Sequence, residues 1–512
     1  MKRVMRWLPG FALGIAVLLG TGCSTIRAVC PEEGGHAWHE LRSAHFVVRT
    51  NLDPVPARKV TLDLERYRRA LLLAWTRDFD PPGRLEVIVL RTRGQLAEFD
   101  ASGYDGFTAF TINGPVIVMD GGGDVYSGKA AARNIQAHEL AHYLSRFMLV
   151  RQPRWFAEGL ATYLETVSLS KDGTEVVIGT PHSQNLAHVR LKRWMKLEAL
   201  WRWDEEFHTI KDPSSHYASS WLWVYFLMEE HGQRFSDFQV RLALAEDPRK
   251  AFEEAFAGAG DLEAGLLRFI KQGGFVERTV PMPPVPNELA MREMEGAEVH
   301  AVRARLHLMG SGRDWEEQAQ EARLEVTQGI SENPTNVSVA LLHADFMTNA
   351  QERLALAEAL VKARPDSGLA WGLLGRAHGR ARSPAAVQEQ AYVRAVELLP
   401  DDANAHNELA WFYVMTKAPR FGYESARRAL QLAPFSPEIV DTYAAVLFGM
   451  GRCFRSIHAQ RRAIDLLYEQ QNEVKRKDFE SRLALYERVC RDVAAAAAAR
   501  EEQGPSEQQG SE

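Results

Sequence analysis

Apolar residues change their rhythm several times along this chain, and the changes mark its parts. Leu8 to Leu19 is a nearly unbroken apolar run behind Lys2, Arg3 and Arg6. It is too short, and too interrupted by Pro9, to span a bilayer well, which predicts a cleaved signal peptide over residues 1–22. From Trp38 the pattern turns globular. His45 to Thr50 and Leu85 to Leu90 read as strands, the second strongly β-branched. Gly114 to Met119 reads as a third, closed by a turn at Asp120-Gly121-Gly122-Gly123. Leu62, Leu64, Tyr67, Leu71 and Leu72 recur at helical spacing within Val60 to Trp75, and Arg93 to Asp100 predicts a short helix. A long helix is expected from near Gly128. Further helices are expected over Arg154 to Thr166, Trp194 to Trp203, Tyr217 to His231 and Phe252 to Gly273, with their aromatic stripes as core. Residues 38–278 therefore predict an α+β half ahead of a helical half.

Thr279 to Pro286 carries four prolines and predicts a stiff, extended linker over 279–287. Beyond it a 34-residue period sets in. Pro400 and Pro434 keep it, as do Ala395, Ala429 and Ala463, and Ala410 and Ala444. Trp371-Gly372-Leu373-Leu374-Gly375 fits W-x-x-L-G. Small residues at helix crossings and a proline at the repeat end are the tetratricopeptide (TPR) signature, so residues 288–493 predict an all-α solenoid. About one or two poorer repeats are expected before Pro365, with Asn333-Pro334 as a repeat end. Residues 494–512 open with an alanine run and predict a disordered tail.

Composition narrows the function classes only a little. The 512 residues are 46% hydrophobic and 25% charged, with a formal net charge of -6. Nothing in that balance points to nucleic acid, which draws a basic surface. Leu19-Gly20-Thr21-Gly22-Cys23 resembles the bacterial lipobox, with Gly20 where a leucine is usual. The resemblance implies lipidation of Cys23, residues 23–37 as a tether, and, through Ser24, an outer-membrane lipoprotein facing the periplasm. Plain secretion is the alternative. Cys30, Cys453 and Cys490 are too far apart for a disulfide framework, and their spacing fits no metal site. Cys453 and Cys490 either pair in an oxidising compartment or stay as buried thiols.

The chemistry lies in His138-Glu139-Leu140-Ala141-His142, which spells H-E-x-x-H. Two histidines four apart on a helix share a face, one turn above the other, and can grip one zinc ion. Residues 130–144 hold no proline or glycine. Ile135 falls on the same face as both histidines, which sets the ligands at the border of the core. Glu139 can reach a metal-bound water, and Glu158 can supply a third ligand. Three protein ligands leave a fourth position open for water, the requirement for metal-assisted hydrolysis. The bland reading is two surface histidines on an alanine-rich helix.

Residues 38–275 resemble the gluzincin-type metallopeptidase domains called peptidase MA-like. The resemblance rests on H-E-x-x-H, on Pro153 to Tyr163 with its Glu158-Gly159-Leu160-Ala161, and on the opening Trp38 to Phe46. It implies a zincin-like fold, a small mixed sheet plus active-site helices. It makes His138, His142 and Glu158 the zinc ligands and Glu139 the general base, with Gly159 letting the second helix approach closely. Tyr217, and more weakly His216, are implied as oxyanion donors. No G-x-M-E-N motif occurs, which favours endopeptidase over aminopeptidase action. Val116 to Met119 is a candidate edge strand for an extended substrate. The expected function is zinc-dependent peptide hydrolysis in the cell envelope, with the TPR surface binding a protein partner. The rival is a noncatalytic TPR scaffold or chaperone with a structural or vestigial zinc site.

Overall fold

The computed structural model describes residues 27–75, 79–100, 105–111, 114–121, 134–206, 209–310, 314–467 and 473–502. The leader, Cys23, the start of the long helix near Gly128 and the Gly122-Gly123 turn lie outside these residues. Among the described residues, no helix is long and apolar enough to cross a membrane.

The N-terminal part is built around a mixed sheet. In chain order its elements are β1 (His39–Arg42), β2 (Phe46–Thr50), α1 (Pro54–Trp75), β3 (Leu85–Leu90), α2 (Arg93–Phe99), β4 (Gly106–Thr111) and β5 (Gly114–Asp120). There follow α3 (Ile135–Met148), α4 (Arg154–Leu164), β6 (Ser168–Leu169), β7 (Glu175–Ile178) and α5 (Ser183–Lys192). Two short helices, α6 (Leu197–Trp201) and α7 (Trp203–Glu206), precede α8 (Ser214–Glu230), α9 (Gly232–Ala243), α10 (Pro248–Ala255) and α11 (Leu262–Gln272). The strand order is β4-β5-β3-β2-β1, with β2, β3 and β5 parallel and the outer pairings antiparallel.

β3 explains its own β-branched run. Val87 and Val89 join the cluster that holds Leu64 of α1 and Leu140 of α3, whereas Ile88 and Leu90 join one that holds Val299, Val302 and Leu306. A strand covered on both faces reads as continuously apolar rather than alternating.

Several expectations give way here. Val116 to Met119 is not an edge: β5 lies between β4 and β3, and β4 is the outermost strand. The alternation in Gly106 to Thr111 is too weak to announce that strand. The expected helix over Trp194 to Trp203 is broken into α6 and α7. Residues 279–287 are not a free linker. β8 (Arg278–Pro281) pairs with β7 as the edge of a three-stranded sheet, a place where proline does no harm. β9 (Ala290–Glu293) then pairs with β1 and becomes the far edge of the main sheet.

The helix after it, α12 (Gly296–Met309), seals the second face of that sheet with Val299, Val302 and Leu306. Each such burial contributes roughly 2 kcal/mol, so the two halves are welded rather than strung together. Nor is the segment from residue 27 a tether. Ala28 and Cys30 are buried, and the Ala28 carbonyl accepts from Arg303 of α12 at 2.6 Å.

The helical half runs α13 (Trp315–Glu332), α14 (Val337–Phe346), α15 (Ala350–Ala363), α16 (Gly368–Arg380), α17 (Ala385–Leu398), α18 (Ala403–Met415), α19 (Pro419–Leu432), α20 (Pro437–Gly449), α21 (Cys453–Asp465) and α22 (Glu473–Glu502). Helices pair from α12 to α21, and each pair packs on the next. The periodic alanines sit where helices cross: Ala395, Ala429 and Ala463 are buried on α17, α19 and α21, and Ala410 and Ala444 on α18 and α20. Pro400 and Pro434 follow α17 and α19, and Asn333-Pro334 follows α13. At Gly375 a methyl group would lie 2.6 Å from the Tyr392 ring, so this glycine sets the approach of α17 to α16. The alanine run expected to open a disordered tail instead continues α22 to Glu502, as alanine's helix propensity favours. Cys453 and Cys490 form a disulfide between α21 and α22. The solenoid also returns to the N-terminal part. Phe435 meets Phe147 of α3 edge-on at 4.9 Å, and Val150 shares a cluster with Val440 and Leu447.

Candidate metal centre

Helix α3 carries H-E-x-x-H as expected. Asn134 caps it, its side chain accepting from the Ala137 N–H at 3.2 Å. Helix α4 begins directly after Pro153 and brings Glu158 to the same place. A methyl group at Gly159 would lie 2.5 Å from the Ser220 carbonyl oxygen, so α4 and α8 cross at backbone contact.

Three atoms from the two neighbouring helices form a nearly regular triangle. His138 Nε2 and His142 Nε2 are 3.2 Å apart, and Glu158 Oε2 lies 3.5 Å from the first and 3.4 Å from the second. Ligands about 2.05 Å from a tetrahedral zinc are about 3.3 Å from one another, so the triangle fits a shared ion. A charge-assisted hydrogen bond would draw the carboxylate closer, to about 2.8 Å. Glu158 Oε2 is buried without a hydrogen-bond partner among the described residues, a costly state for a carboxylate oxygen unless a cation meets it.

Two further side chains orient the first histidine. Glu165 Oε2 accepts from His138 Nδ1 at 2.7 Å, and its Oε1 accepts from His182 Nε2 at 2.9 Å. The Asn185 N–H donates to His182 Nδ1, so the His182 proton sits on Nε2 and faces the carboxylate. His138 in turn gives its Nδ1 proton to Glu165 and leaves the Nε2 lone pair toward the triangle, the arrangement metal-binding histidines favour. Burial opposes charge on His138, but Glu158 and Glu165 outweigh it and raise its pKa to about 10. Burial would raise the Glu158 pKa, yet His142 and His138 hold it well below the usual carboxylate range. The field that favours a proton there favours a divalent cation as well.

Glu139 is buried beside its histidine neighbour. Its Oε2 accepts from Thr108 Oγ1 of β4 at 2.7 Å, so the outermost strand fixes its carboxylate. Tyr217 lies one turn before Ser220 on α8, and its ring meets Trp203 edge-on at 5.2 Å. His216 is buried against Trp203, its Nδ1 without a hydrogen-bond partner among the described residues, and burial lowers its pKa.

The sequence had not singled out Glu165, His182 or Thr108. Glu165 could have been found, since it stands seven residues after Glu158, two turns along one helix face. Nothing local points to the other two.

A second group, Cys30, His300 and Glu325, also lies within ligand distance. Its geometry differs. His300 Nδ1 is 2.7 Å from Glu325 and its Nε2 is 3.1 Å from Glu332, while Glu325 also accepts from Arg303 at 2.8 Å. Hydrogen bonds already satisfy that cluster.

Fold and site together define a mixed-sheet protein with a His/His/Glu cluster, continued by TPR-like helix pairs. A family model described as a protein of unknown function (DUF1570) matches residues 135–247, the stretch that carries α3, α4 and α8. No curated protein matches the chain. A thermophilic TPR protein of Thermus thermophilus is similar in structure, at 17% identity and a TM-score of 0.30, over 36% of this chain and 98% of that one. The MamA protein is similar at 14% identity and a TM-score of 0.26, over 35% of this chain and 94% of that one.

Proposed function

We propose that this chain is a zinc-dependent endopeptidase of the cell envelope, with a zincin-like catalytic part and TPR-like repeats that hold a protein partner. The triangle of His138 Nε2, His142 Nε2 and Glu158 Oε2 is the observation that carries the reading. In this reading these three side chains hold the ion, which when bound supplies a Lewis acid that acidifies water and polarises a peptide carbonyl. Glu139 takes the proton from the attacking water and delivers it to the leaving amine. Thr108 keeps that carboxylate aimed. Tyr217 is the proposed donor to the developing oxyanion.

The outer side of β4 pairs with no strand among the described residues, and in this reading an extended substrate backbone adds to it. The absence of G-x-M-E-N supports internal cleavage. The leader and the lipobox-like Cys23 support attachment to the outer membrane, facing the periplasm.

Glu139→Gln tests the core of this. The variant should bind about one zinc per chain and cleave no unstructured casein, while the wild type cleaves it and a chelator stops it. Equal cleavage by the variant refutes the assignment. A chain that binds no zinc favours the noncatalytic scaffold.

A further inference from the structure

Residues 176–197 hold no aspartate or glutamate, in a chain whose net charge is -6. Arg190, Lys192, Arg193 and Lys196 fall at the end of that stretch, where α5 stops. Arg190, Leu191, Lys192 and Arg193 are exposed one after another. Leu191 is 86% exposed, and among the described residues no large apolar side chain is more so. Both ends of this tip are fixed. Val189 is buried just before it. Just after it, the Met195 N–H donates to Ser219 Oγ at 2.9 Å, and the Met195 carbonyl accepts from Trp223 Nε1 at 3.0 Å. His188 Nε2 lies 2.9 Å from Ser215 Oγ, a third tie to α8. Arg193 ends the helix at φ 64°, a backbone region that side-chain-bearing residues seldom adopt.

The cations of the tip are not neutralised. Lys196 pairs with Glu263, but Arg190, Lys192 and Arg193 make no ion pair among the described residues. Asp212 approaches from the segment before α8: hydrogen bonds from Ser214, and after them the charges of Lys192 and His188, hold its pKa below the usual range. Exposed Lys211 stands next to it in the chain, so the excess of positive charge remains. A single exposed leucine is ordinary. One held rigidly within a row of unpaired cations calls for a partner that takes both.

We propose that the tip of α5 docks on an anionic phospholipid surface, with Leu191 in the headgroup boundary and Arg190, Lys192 and Arg193 on lipid phosphates. Such a surface accepts charge and hydrocarbon side by side, and long cationic side chains keep their heads at the phosphates while their stems lie along the apolar layer. An acidic protein segment shares the charge but gives no use to the leucine between the cations. The other end of α5 is rooted in the candidate metal centre, since its cap His182 donates to Glu165. The ten residues of the helix span roughly 15 Å, so docking holds that centre close to the lipid. The contact itself needs no metal, and it stands or falls separately from the peptidase reading.

The test uses the full chain with an apolar, environment-sensitive fluorophore placed through Leu191→Cys. Cys23→Ser leaves that thiol as the reactive one, because Cys30 is buried and Cys453 and Cys490 are bridged. The leader is common to every sample, so the label reads the tip alone. Emission should brighten and shift to the blue on vesicles of phosphatidylglycerol mixed into phosphatidylcholine, stay unchanged on phosphatidylcholine alone, and fall back as salt rises. Adding Arg190→Gln, Lys192→Gln and Arg193→Gln should abolish the brightening, since each cation near such a surface contributes about fivefold. These side chains are exposed and unpaired, so far-ultraviolet circular dichroism should match that of the unaltered tip. Arg190→Lys with Arg193→Lys keeps the charge and should keep the brightening. Equal emission on both kinds of vesicle, or brightening that survives the triple glutamine variant, would overturn the proposal. So would loss of brightening in the lysine variant. Brightening with polyglutamate equal to that with the anionic vesicles would overturn it too, by making the partner an acidic polypeptide.

Discussion

Glu165 gives the sharpest test of the metal centre, because it touches no metal in the proposed arrangement and acts only through His138. Its side chain is 2% exposed and bridges His138 Nδ1 at 2.7 Å and His182 Nε2 at 2.9 Å. Glu165→Ala leaves two buried N–H donors facing a void, and each unmade bond costs about 1–3 kcal/mol. Part of that cost is global and lowers stability. The rest is specific. Without its acceptor, His138 loses the bond that fixes its tautomer and aims Nε2. Loss of such an outer partner typically weakens metal binding about 10–100-fold, or about 1.4–2.7 kcal/mol.

Glu165→Gln separates the two effects. It keeps the shape and one acceptor oxygen, and it removes the charge. Zinc affinity is read by competition with a chromophoric chelator, and stability by urea unfolding of the metal-free protein. We expect Glu165→Ala to lose zinc affinity about 10–100-fold, with Glu165→Gln between it and the wild type. If both variants bind zinc as tightly as the wild type while losing stability, Glu165 serves only the core. His138 would then not be the proposed ligand.

Other outcomes follow from single contacts. Thr108→Val removes the donor to Glu139 and should lower kcat about tenfold at unchanged zinc content, with Thr108→Ser restoring it; equal turnover in all three would dismiss the role of β4. The Cys453–Cys490 bridge spans 37 residues, and in the chain-entropy model opening it costs about 4 kcal/mol at most. Urea unfolding followed by near-ultraviolet circular dichroism, with and without reductant, should register that loss, and the Cys453→Ser/Cys490→Ser double variant should no longer respond to reductant. Burial would raise the Glu86 pKa, but Arg49 and Arg305 together lower it to about 2. The stability this brings, at most about 3 kcal/mol, is full above the ordinary carboxylate pKa and disappears as pH falls from about 4.5 to about 2. Glu86→Gln should therefore be less stable at pH 7 and show a flatter loss in that acid window, measured by urea unfolding at each pH.

Much of this molecule is written locally. The helix that carries His138 and His142, the strands β2, β3 and β5 and the 34-residue step of the alanines all follow from periodicity, and the close approach at Gly159 is implied by a local motif. A repeat of 2, 3.6 or 34 residues is a property of neighbouring sequence, and it survives whatever the rest of the chain does. Glu158 belongs with these, since its motif stands a short loop away from the histidines.

Contacts between distant residues could be decided only by the folded chain. Which strand is the edge depends on the order β4-β5-β3, and no periodicity encodes order in a sheet. Segments expected as tether and linker became structure because Arg303 reaches Ala28 across 275 residues and β9 finds β1. Thr108 meets Glu139, and His182 meets Glu165, through packing of separate elements. Each of these pairings is favourable only after the intervening chain has been ordered, so its free energy belongs to the tertiary structure and leaves no mark in the local pattern.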